Sequence, residues 1–378
     1  MLGAVILLSL LFCRAALRHA PGGDFQIYCT ALRLADTGAD PHDVDALARA
    51  GAPPGLPMTT PVLALLPLRP GCEAGRYAAI WIAAALSTFL LVGLLDRRPQ
   101  WLLLAAVVAA GFDAVRWMLV TGNIAIFEML FGGAAFAALA AGRRLEIFGL
   151  GLGSATFLKI EPVMFSVLAF VSGGPRRGLI TTAGVLAAFA ALHVLGFLTM
   201  PAASSFYWKH LLSGFGGFFG AEAIYGGNTH PSMLSLFSDV SAATTGRSWP
   251  AIPFYAGIAS LVLIDLLLSR RTTNNPPTIA LWGLALLVSM PRLKPYAFGL
   301  GIVPLYLAAK YLPPRQQIVL VAVSCAMPMA AAAALTSGLV SGGAARILGY
   351  YQLFALAGAY LLVRRRSIPI AAGEGAHR

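Results

Sequence analysis

The chain has 378 residues, of which 58% are hydrophobic and only 11% are charged. Soluble domains carry about 25% charged residues, so this composition excludes a soluble globular protein and indicates an integral membrane protein. Long apolar runs without period-two alternation exclude an outer-membrane barrel and predict helical spans. The net charge of +12 comes mostly from basic pairs between apolar runs, a pattern that reports topology and anionic lipids rather than nucleic-acid binding.

The apolar segments predict an all-α polytopic membrane protein with a bundle of about 10–12 transmembrane helices. They are 2–17, 77–95, 100–117, 124–142, 145–158, 160–173, 178–200, 251–269, 278–290, 296–311, 317–337 and 345–363. The first could be a cleaved signal peptide, but we favour a retained helix because many spans follow. Several segments are shorter than the roughly 20 residues that cross a hydrocarbon core. We therefore expect the pairs 145–158/160–173 and 278–290/296–311 to be tilted, broken or re-entrant helices.

Basic residues assign the sides of the membrane. Counted from a cytoplasmic N-terminus, the positive-inside rule is satisfied throughout. The residues placed inside are Arg97-Arg98, Arg143-Arg144, Arg176-Arg177, Arg270-Arg271, Lys310, Arg315 and Arg364-Arg365-Arg366. Segments 18–76 and 201–250 then form two larger extracytoplasmic loops of a single catalytic domain, residues 1–366, followed by a cytoplasmic tail, residues 367–378. We expect a multi-pass protein of the bacterial inner (plasma) membrane, with its active site facing the periplasm or the cell exterior.

Cysteines are scarce in this chain, which contains four. Cys29 and Cys72 flank the first polar segment, and a bridge between them is possible if that segment faces an oxidising compartment. Their spacing alone does not predict the bridge. No CxxC motif or Cys/His cluster indicates a structural metal site.

Polar residues at the ends of the predicted spans collect on the extracytoplasmic side, where ionisable groups usually mark function. Asp24 follows Gly22-Gly23 just outside the first segment. A carboxylate there can accept a proton, although it could also be a solvated loop residue. The candidate substrate-binding residues on the same face are Tyr28, Arg116, Asn123, Lys159, Glu161, Asn228, His230, Arg292, Lys294 and Tyr296.

Several of these residues also have a structural interpretation. Arg116 lies one helical turn after Asp113, which is the spacing of an intrahelical ion pair. Lys159 and Glu161 could neutralise each other at a helix break, and His230 could be a solvated loop residue. These alternatives stay open at the level of sequence.

Arg292 and Lys294 are harder to explain as structural residues. They lie two residues apart between Pro291 and Pro295, and on the extracytoplasmic side they depart from the positive-inside pattern. They are suited to hold a phosphate or pyrophosphate, Arg292 by its bidentate fork and Lys294 as a point charge.

A candidate base, several cations and aromatic side chains on one face predict glycosyl transfer from a lipid-linked sugar phosphate. The carboxylate would deprotonate an acceptor hydroxyl, and the cations would stabilise the departing phosphate. A nucleotide sugar is a poor donor on this face, because it stays in the cytoplasm. We expect no cofactor, no metal ion and no nucleic-acid partner. The expected partners are a polyprenyl-phosphate-linked sugar donor, a lipid or glycan acceptor and the membrane.

Short motifs along the chain resemble those of glycosyltransferase family 87. They are Gly23-Asp24-Phe25 with Tyr28, Gly38 to Pro41, Thr60-Pro61, Gly122-Asn123, Lys159-x-x-Pro162, Gly227-Asn228 and Ser289 to Tyr296, spread over about residues 20–310. The family comprises polyprenol-phosphate-mannose-dependent mannosyltransferases of the GT-C fold. The resemblance therefore implies a GT-C-type bundle, Asp24 as the catalytic base and Lys159 as a donor-phosphate contact.

The resemblance also implies an inverting transfer of mannose, with a glycolipid or cell-envelope glycan among the acceptors. Family members often place a histidine in the last of these motifs, where this chain has Lys294 and Tyr296. Any step that depends on that histidine would need His230 instead.

A transporter or flippase of a lipid-linked saccharide is the alternative function. It too would need broken helices and outward-facing cations. However, the two halves of the chain show no convincing internal repeat. The ionisable candidates also cluster at the outer edge rather than near the middle of the membrane. Both observations favour the enzyme.

Overall fold

The computed structural model describes residues 22–53, 72, 76–94, 112–142, 144–217, 231–247, 251–269, 276–290 and 293–367. Every regular element in these ranges is helical, which confirms the all-α prediction. The α-helices are α1 (Gly23–Asp36), α2 (Val44–Arg49), α3 (Arg76–Leu94), α4 (Asp113–Thr121), α5 (Ala125–Gly142), α6 (Leu145–Leu158), α7 (Leu168–Thr199), α8 (Pro201–Gly217), α9 (Met233–Thr245), α10 (Ala251–Ser269), α11 (Pro276–Val288), α12 (Ile302–Tyr311), α13 (Pro314–Val321), α14 (Met327–Thr336), α15 (Gly342–Leu348) and α16 (Tyr351–Ser367). Two 3₁₀ segments, Glu161–Val167 and Pro295–Gly301, and a π-helical turn, Ala322–Ala326, complete the set.

Most of the helices coincide with predicted apolar segments, and α3, α5, α6, α10 and α11 do so closely. The segment 100–117 is wrong as a single helix, because Phe112 is extended and α4 begins at Asp113. A carboxylate in the first turn favours a helix start at that position. Residues 100–111 and the predicted first helix, 2–17, lie outside the described residues.

The two segments predicted as large loops contain helices. Residues 18–76 include α1 and α2, and residues 201–250 include α8 and α9. Asp43 caps α2, since one carboxylate oxygen accepts hydrogen bonds from the backbone N–H groups of Asp45 and Ala46, at 2.9 and 3.1 Å. Pro201 opens α8, where its fixed φ suits the first helical position. Asp24 consequently lies in the first turn of a helix and not in a loop.

Candidate membrane spans are present among the described helices. Three are long and apolar enough to cross a membrane, namely Ala125–Gly142, Glu161–Thr199 and Pro314–Thr336. A fourth arises if Gly342–Leu348 and Tyr351–Arg365, which are bent by 47°, form one span. Shorter apolar helices are Leu145–Leu158, Pro253–Asp265 and Pro277–Val288. The chain is an all-α membrane protein, and the total of 10–12 spans and the GT-C type stay predictions.

Breaks occur where the short segments predicted them. Gly174 has φ 76° and ψ 176°, so the helical run from Glu161 to Thr199 is interrupted just before Pro175. A positive φ of this kind suits glycine, which has no Cβ to clash. The second member of each short pair begins as a 3₁₀ segment, at Glu161 and at Pro295. Both pairs are therefore broken helices.

Helix α5 lies at the centre of the bundle. It packs against α3, α6, α11, α12 and the 3₁₀ segment Pro295–Gly301. Large side chains such as Phe136, Phe298 and Tyr306 are fully buried in this core. The N-terminal end of α5 is consequently brought close to the breaks at Lys159 and at Pro295.

A disulfide bond joins Cys29 of α1 to Cys72, with the two Cα atoms 5.5 Å apart. The bond that the sequence left open is formed. It ties α1, and with it Asp24, to the segment that leads into α3.

Candidate active site

Four segments predicted to lie on one face of the membrane meet at one place. Asp24 comes from the first turn of α1, and Asn123 from the link between α4 and α5. Lys159 follows α6, and Tyr296 lies in the 3₁₀ segment Pro295–Gly301. Hydrogen bonds and a cation–π contact connect their side chains. The site is thus assembled from parts of the chain that are far apart in sequence.

Local backbone chemistry places these residues. Gly22 and Gly122 have φ of 60° and 67°, and these left-handed positions open α1 and close α4. Glycine is the residue that adopts this conformation readily. The backbone N–H of Asn123 donates to the Met118 carbonyl at 3.0 Å, which completes the end of α4. Asn123 is therefore held at a fixed point between two helices.

The Lys159-x-x-Pro162 motif has a comparable physical basis. Lys159 is extended, with φ −149° and ψ 154°, and its N–H donates to the Ala155 carbonyl at the end of α6. Pro162 lies in the first turn of the next 3₁₀ segment, where a missing N–H costs little. The motif therefore breaks the helix so that the lysine side chain enters the site.

Asn123 is oriented by two donors. Its side-chain oxygen accepts from Lys159 Nζ at 3.2 Å and from the backbone N–H of Ala125 at 2.9 Å. An amide with its oxygen engaged in this way must direct its NH₂ group elsewhere. That group donates to Asp24 Oδ2 at 2.8 Å. Lys159 therefore acts on Asp24 through Asn123 and fixes the position of the carboxylate.

Lys159 is 5% exposed and is surrounded by acidic groups. Its Nζ lies 3.9 Å from Glu128 Oε2 and 4.0 Å from the centre of the Tyr296 ring. Burial opposes the positive charge, but the surrounding Tyr296, Glu128, Glu161 and Asp24 outweigh burial and raise the pKa of Lys159. Lys159 is thus a cation at neutral pH. Glu128 is the acidic residue nearest to its Nζ, although no hydrogen bond joins them, and Glu161 interacts with Lys159 at longer range.

Aromatic side chains pack around Asn123 and the segment that connects α4 to α5. Trp81 Nε1 donates to the Asn123 backbone oxygen at 3.0 Å. The indole packs edge-to-face against Phe25 at 5.4 Å and Phe127 at 5.1 Å. Tyr28 lies nearby, and burial, followed by the charge of Asp24, raises the pKa of its phenol well above the usual range. Tyr28 is therefore a neutral hydrogen-bonding group in this site.

The remaining sequence candidates fall in three places. Glu161 is half-buried next to the cluster, and Lys294 directly precedes the 3₁₀ segment that carries Tyr296. Arg116 lies outside the Asp24 cluster, because its Nε donates to Asp113 Oδ1 at 2.7 Å. That contact confirms the i,i+3 ion pair. Three candidates lie outside the described residues: Asn228, His230 and Arg292.

Comparison with models of protein families identifies the family of this chain. The model of glycosyltransferase family 87 matches residues 53–291, which is more than half of the chain. The chain belongs to glycosyltransferase family 87. The resemblance inferred from the motifs is thereby confirmed, and the protein is a membrane glycosyltransferase. No curated protein and no solved structure matches the chain.

Family 87 membership favours an enzyme over the transporter alternative. The matched region contains Asn123, Lys159 and Glu161 of the candidate site, whereas Asp24 and Tyr296 lie on either side of it. The roles of Asp24 and of the substrate-binding residues in this family 87 enzyme stay predictions.

Sequence reasoning missed Glu128 and Trp81. Glu128 is 1% exposed, and its Oε2 lies 3.9 Å from Lys159 Nζ. The sequence could have identified Glu128, because it is the single acidic residue in the apolar segment 124–142. Ionisable residues within apolar segments usually have a function. Trp81 carried no comparable signal, because one tryptophan in an apolar run is ordinary. Only the fold shows that its indole N–H reaches the Asn123 carbonyl.

Proposed function

We propose that this enzyme transfers mannose from a polyprenyl-phosphate donor to a hydroxyl group of a lipid-linked or glycan acceptor. The transfer occurs on the extracytoplasmic face of the plasma membrane and inverts the donor linkage. Asp24 is the general base. The product is a mannoside of the cell envelope, and the second product is polyprenyl phosphate.

The arrangement around Asp24 carries this proposal. The carboxylate is half-buried, and a neutral amide holds Oδ2 at 2.8 Å. Its other oxygen makes no hydrogen bond within the part of the chain that the structure describes. A carboxylate that is fixed in position but not paired with a cation keeps its ability to accept a proton. This is the arrangement that a general base requires.

The proposed reaction is a single displacement. Asp24 accepts the proton of the acceptor hydroxyl while the oxygen of that hydroxyl attacks the anomeric carbon of mannose. The bond between that carbon and the phosphate oxygen breaks, and the electron pair leaves with polyprenyl phosphate. A β-linked donor therefore gives an α-mannoside without a covalent enzyme intermediate.

Positive charge near the base would stabilise the departing phosphate. Lys159 supplies such a charge, and its hydrogen bond to the side-chain oxygen of Asn123 holds it in place. We assign Arg292 and Lys294 to the same task, because they lie next to Tyr296 in sequence. Tyr296 itself contacts Lys159 through its ring.

The Cys29–Cys72 bond supports an extracytoplasmic site. Disulfide bonds persist in oxidising compartments and are rare in the cytosol. Cys29 lies on the same helix as Asp24, so a bond at Cys29 and a base at Asp24 belong on the same side of the membrane. This agrees with the sidedness that the arginine pairs predict.

The test is Asp24→Asn in purified enzyme reconstituted with polyprenyl-phosphate mannose. Asparagine keeps the shape of the side chain but cannot take the proton. Turnover should fall by about 10²–10⁴-fold, the usual contribution of a general base, while donor binding survives. Mannose transfer measured against donor binding in the same samples separates the two effects.

Asp43→Asn is the matched control, since it makes the same change within residues 18–76. Asparagine is as good a helix cap as aspartate, so this variant should stay within a few-fold of wild type. Near-normal transfer by Asp24→Asn would show that Asp24 is not the base. If Glu161→Gln then abolished transfer, the role would belong to Glu161.

A further inference from the structure

A small cavity of about 200 Å³ borders Pro295, the residue before Tyr296 of the Asp24 site. It is formed where α4, α14 and the start of α16 meet the 3₁₀ segment Pro295–Gly301. Its lining includes Arg116, Trp117, Pro295, Thr336, Tyr351 and Gln352. The C-terminal helices α14 and α16 lie outside the region that matches the family model. The cavity is therefore a feature that family membership does not assign.

Buried Asp113 fixes the polar part of the lining. Its carboxylate accepts from Arg116 Nε at 2.7 Å and from Gln352 Nε2 at 2.9 Å, and also from the Tyr351 hydroxyl. Trp117 Nε1 lies 3.3 Å from the Tyr351 oxygen. These bonds hold an arginine, an amide, an indole and a phenol in one arrangement. The cavity is thus built from oriented groups, as binding sites are.

Gln352 has an unused acceptor in this arrangement. Its side chain is 5% exposed, and Oε1 has no hydrogen-bond partner in the described part of the chain. The assignment of nitrogen and oxygen is fixed, because the Asp113 carboxylate can only accept and so must face the NH₂ group. A buried oxygen left without a donor is unfavourable. A ligand hydroxyl would supply the missing donor.

The charge balance of the lining indicates an uncharged ligand. Arg116 is the only charged residue among the described residues that line the cavity, and Asp113 neutralises it. A phosphate would find no unpaired cation among these residues. Trp117 and Tyr351 offer aromatic surface, which suits the C–H face of a sugar ring while leaving its hydroxyls for polar partners. The volume is below the roughly 300–1,000 Å³ of sites for drug-sized ligands, which fits one monosaccharide.

We propose that this cavity binds an uncharged pyranose ring of the acceptor saccharide. The position relative to Asp24 supports this choice and rests on the proposed function. Helix α4 carries Arg116 five residues, or about 7.5 Å, before its end at Thr121, and Asn123 lies two residues beyond that end. Pro295 lines the cavity, and the ring of the next residue, Tyr296, contacts Lys159. An acceptor held here can extend a neighbouring hydroxyl towards Asp24.

The test fills the cavity without touching its hydrogen bonds. Ala332 lines it and is 7% exposed, so Ala332→Met places a longer side chain in the space. Ala333→Met is the matched control, because Ala333 is the next residue of the same helix and is exposed. We would measure binding of methyl α-mannoside, methyl α-glucoside and methyl α-galactoside to the purified protein by saturation-transfer NMR. Acceptor and donor KM would be measured in parallel.

Wild type and Ala333→Met should bind at least one methyl glycoside. Ala332→Met should weaken that binding by about tenfold or more, because the sugar, excluded from the cavity, would lose its hydrogen bond to the protein and its contacts with the aromatic rings. Acceptor KM should rise with it, and donor KM should not change. Equal binding by Ala332→Met and Ala333→Met would overturn the proposal, as would the absence of glycoside binding to wild type. If Ala332→Met weakened the binding of mannose 1-phosphate more than that of methyl mannoside, this would also contradict it.

The binding experiment does not depend on turnover, so the two proposals can fail separately. If Asp24→Asn kept normal transfer but Ala332→Met lost glycoside binding, the sugar cavity would stand and the assigned base would fall. If Asp24→Asn abolished transfer and Ala332→Met bound glycosides normally, the base would stand and the cavity would fall.

Discussion

The acidic residues of the N-terminal and C-terminal regions have different partners. In the C-terminal region, Arg346 and Tyr350 meet Asp239 at 2.5 and 2.6 Å. Arg364 and Tyr360 meet Asp265 in the same way, at 2.5 and 2.7 Å. Each of these carboxylates pairs with an arginine and a tyrosine from α15 or α16 or the turn between them. Asp24, in contrast, meets the neutral amide of Asn123.

This difference separates a structural role from the catalytic role that we propose for Asp24. A carboxylate paired with arginine and tyrosine is neutralised, and it joins segments that are distant in sequence. Asp113, which meets Arg116 and Tyr351, belongs to the same group. A carboxylate that is held by an amide is positioned, yet it keeps its charge available for a proton. The identity of the partner, rather than the presence of an acidic residue, therefore distinguishes the two roles.

The two regions are also attached to the bundle by different means. Loss of the disulfide bond in the N-terminal region should have the largest effect on stability. Helix α1 is tied by the Cys29–Cys72 bond, which closes a segment of 43 residues. Serine at both positions should lower stability by up to about 4 kcal/mol in the chain-entropy model. Thermal unfolding can be followed by intrinsic tryptophan fluorescence, which needs no free thiol and tolerates a reducing agent. A reducing agent should produce the same shift in wild type, and an unchanged midpoint in both experiments would show that α1 is held by packing alone.

The next prediction concerns Asp239 in the C-terminal region. Asp239→Ala removes the partner of Arg346 and leaves the buried Tyr350 hydroxyl without an acceptor. Stability should fall by about 2–4 kcal/mol, while turnover per folded molecule stays close to wild type. Thermal unfolding and mannose transfer on the same preparation would measure both quantities. If a fully folded Asp239→Ala variant lost transfer activity, Asp239 would also have a functional role. The distinction between carboxylates paired with arginine and Asp24 would then not hold.

The smallest effect is expected at Asn123. Asn123→Asp replaces the amide beside Asp24 with a second carboxylate, and two adjacent carboxylates hold one proton between them more tightly. The acid limb of the pH–rate profile should therefore move to higher pH, with turnover at pH 7 reduced by about tenfold. Asn123→Ser keeps a neutral hydrogen-bond donor and should not move that limb. If both variants shifted the limb equally, the charge of the partner would not be the controlling property.

Some features followed directly from the chain. The apolar segments gave the class and most helix positions, since the backbone of an apolar span must satisfy its own hydrogen bonds in the membrane and therefore forms a helix. The breaks at Gly174 and before Pro162 followed from backbone chemistry that glycine and proline determine alone. The association of Asp24, Asn123 and Lys159 was predicted only as a shared membrane face. The structure turns that shared face into direct hydrogen bonds.

Other features depended on contacts between distant segments. The helical state of α1 and α8 was missed because their residues look polar beside the long apolar runs. In the structure, the Cys29–Cys72 bond supports α1 and packing against α7 supports α8. Glu128 was passed over because its partner, Lys159, is 31 residues away in sequence. The polar cavity at Gln352 forms only where α4 packs near α16. A contact between segments so far apart in the chain cannot be predicted from a local sequence pattern.

The sequence by itself determined that this protein is a helical membrane protein with polar residues collected on one side, and its motifs indicated glycosyltransferase family 87. Hydrophobic length, glycine and proline geometry and the distribution of arginine are local properties, so the chain displays them without folding. Only the tertiary structure decided which carboxylates are neutralised by arginine and tyrosine, and that Asp24 is instead held by an amide without a paired cation among the described residues. That distinction depends on partners brought from far along the chain, because electrostatic environment is a property of the assembled site.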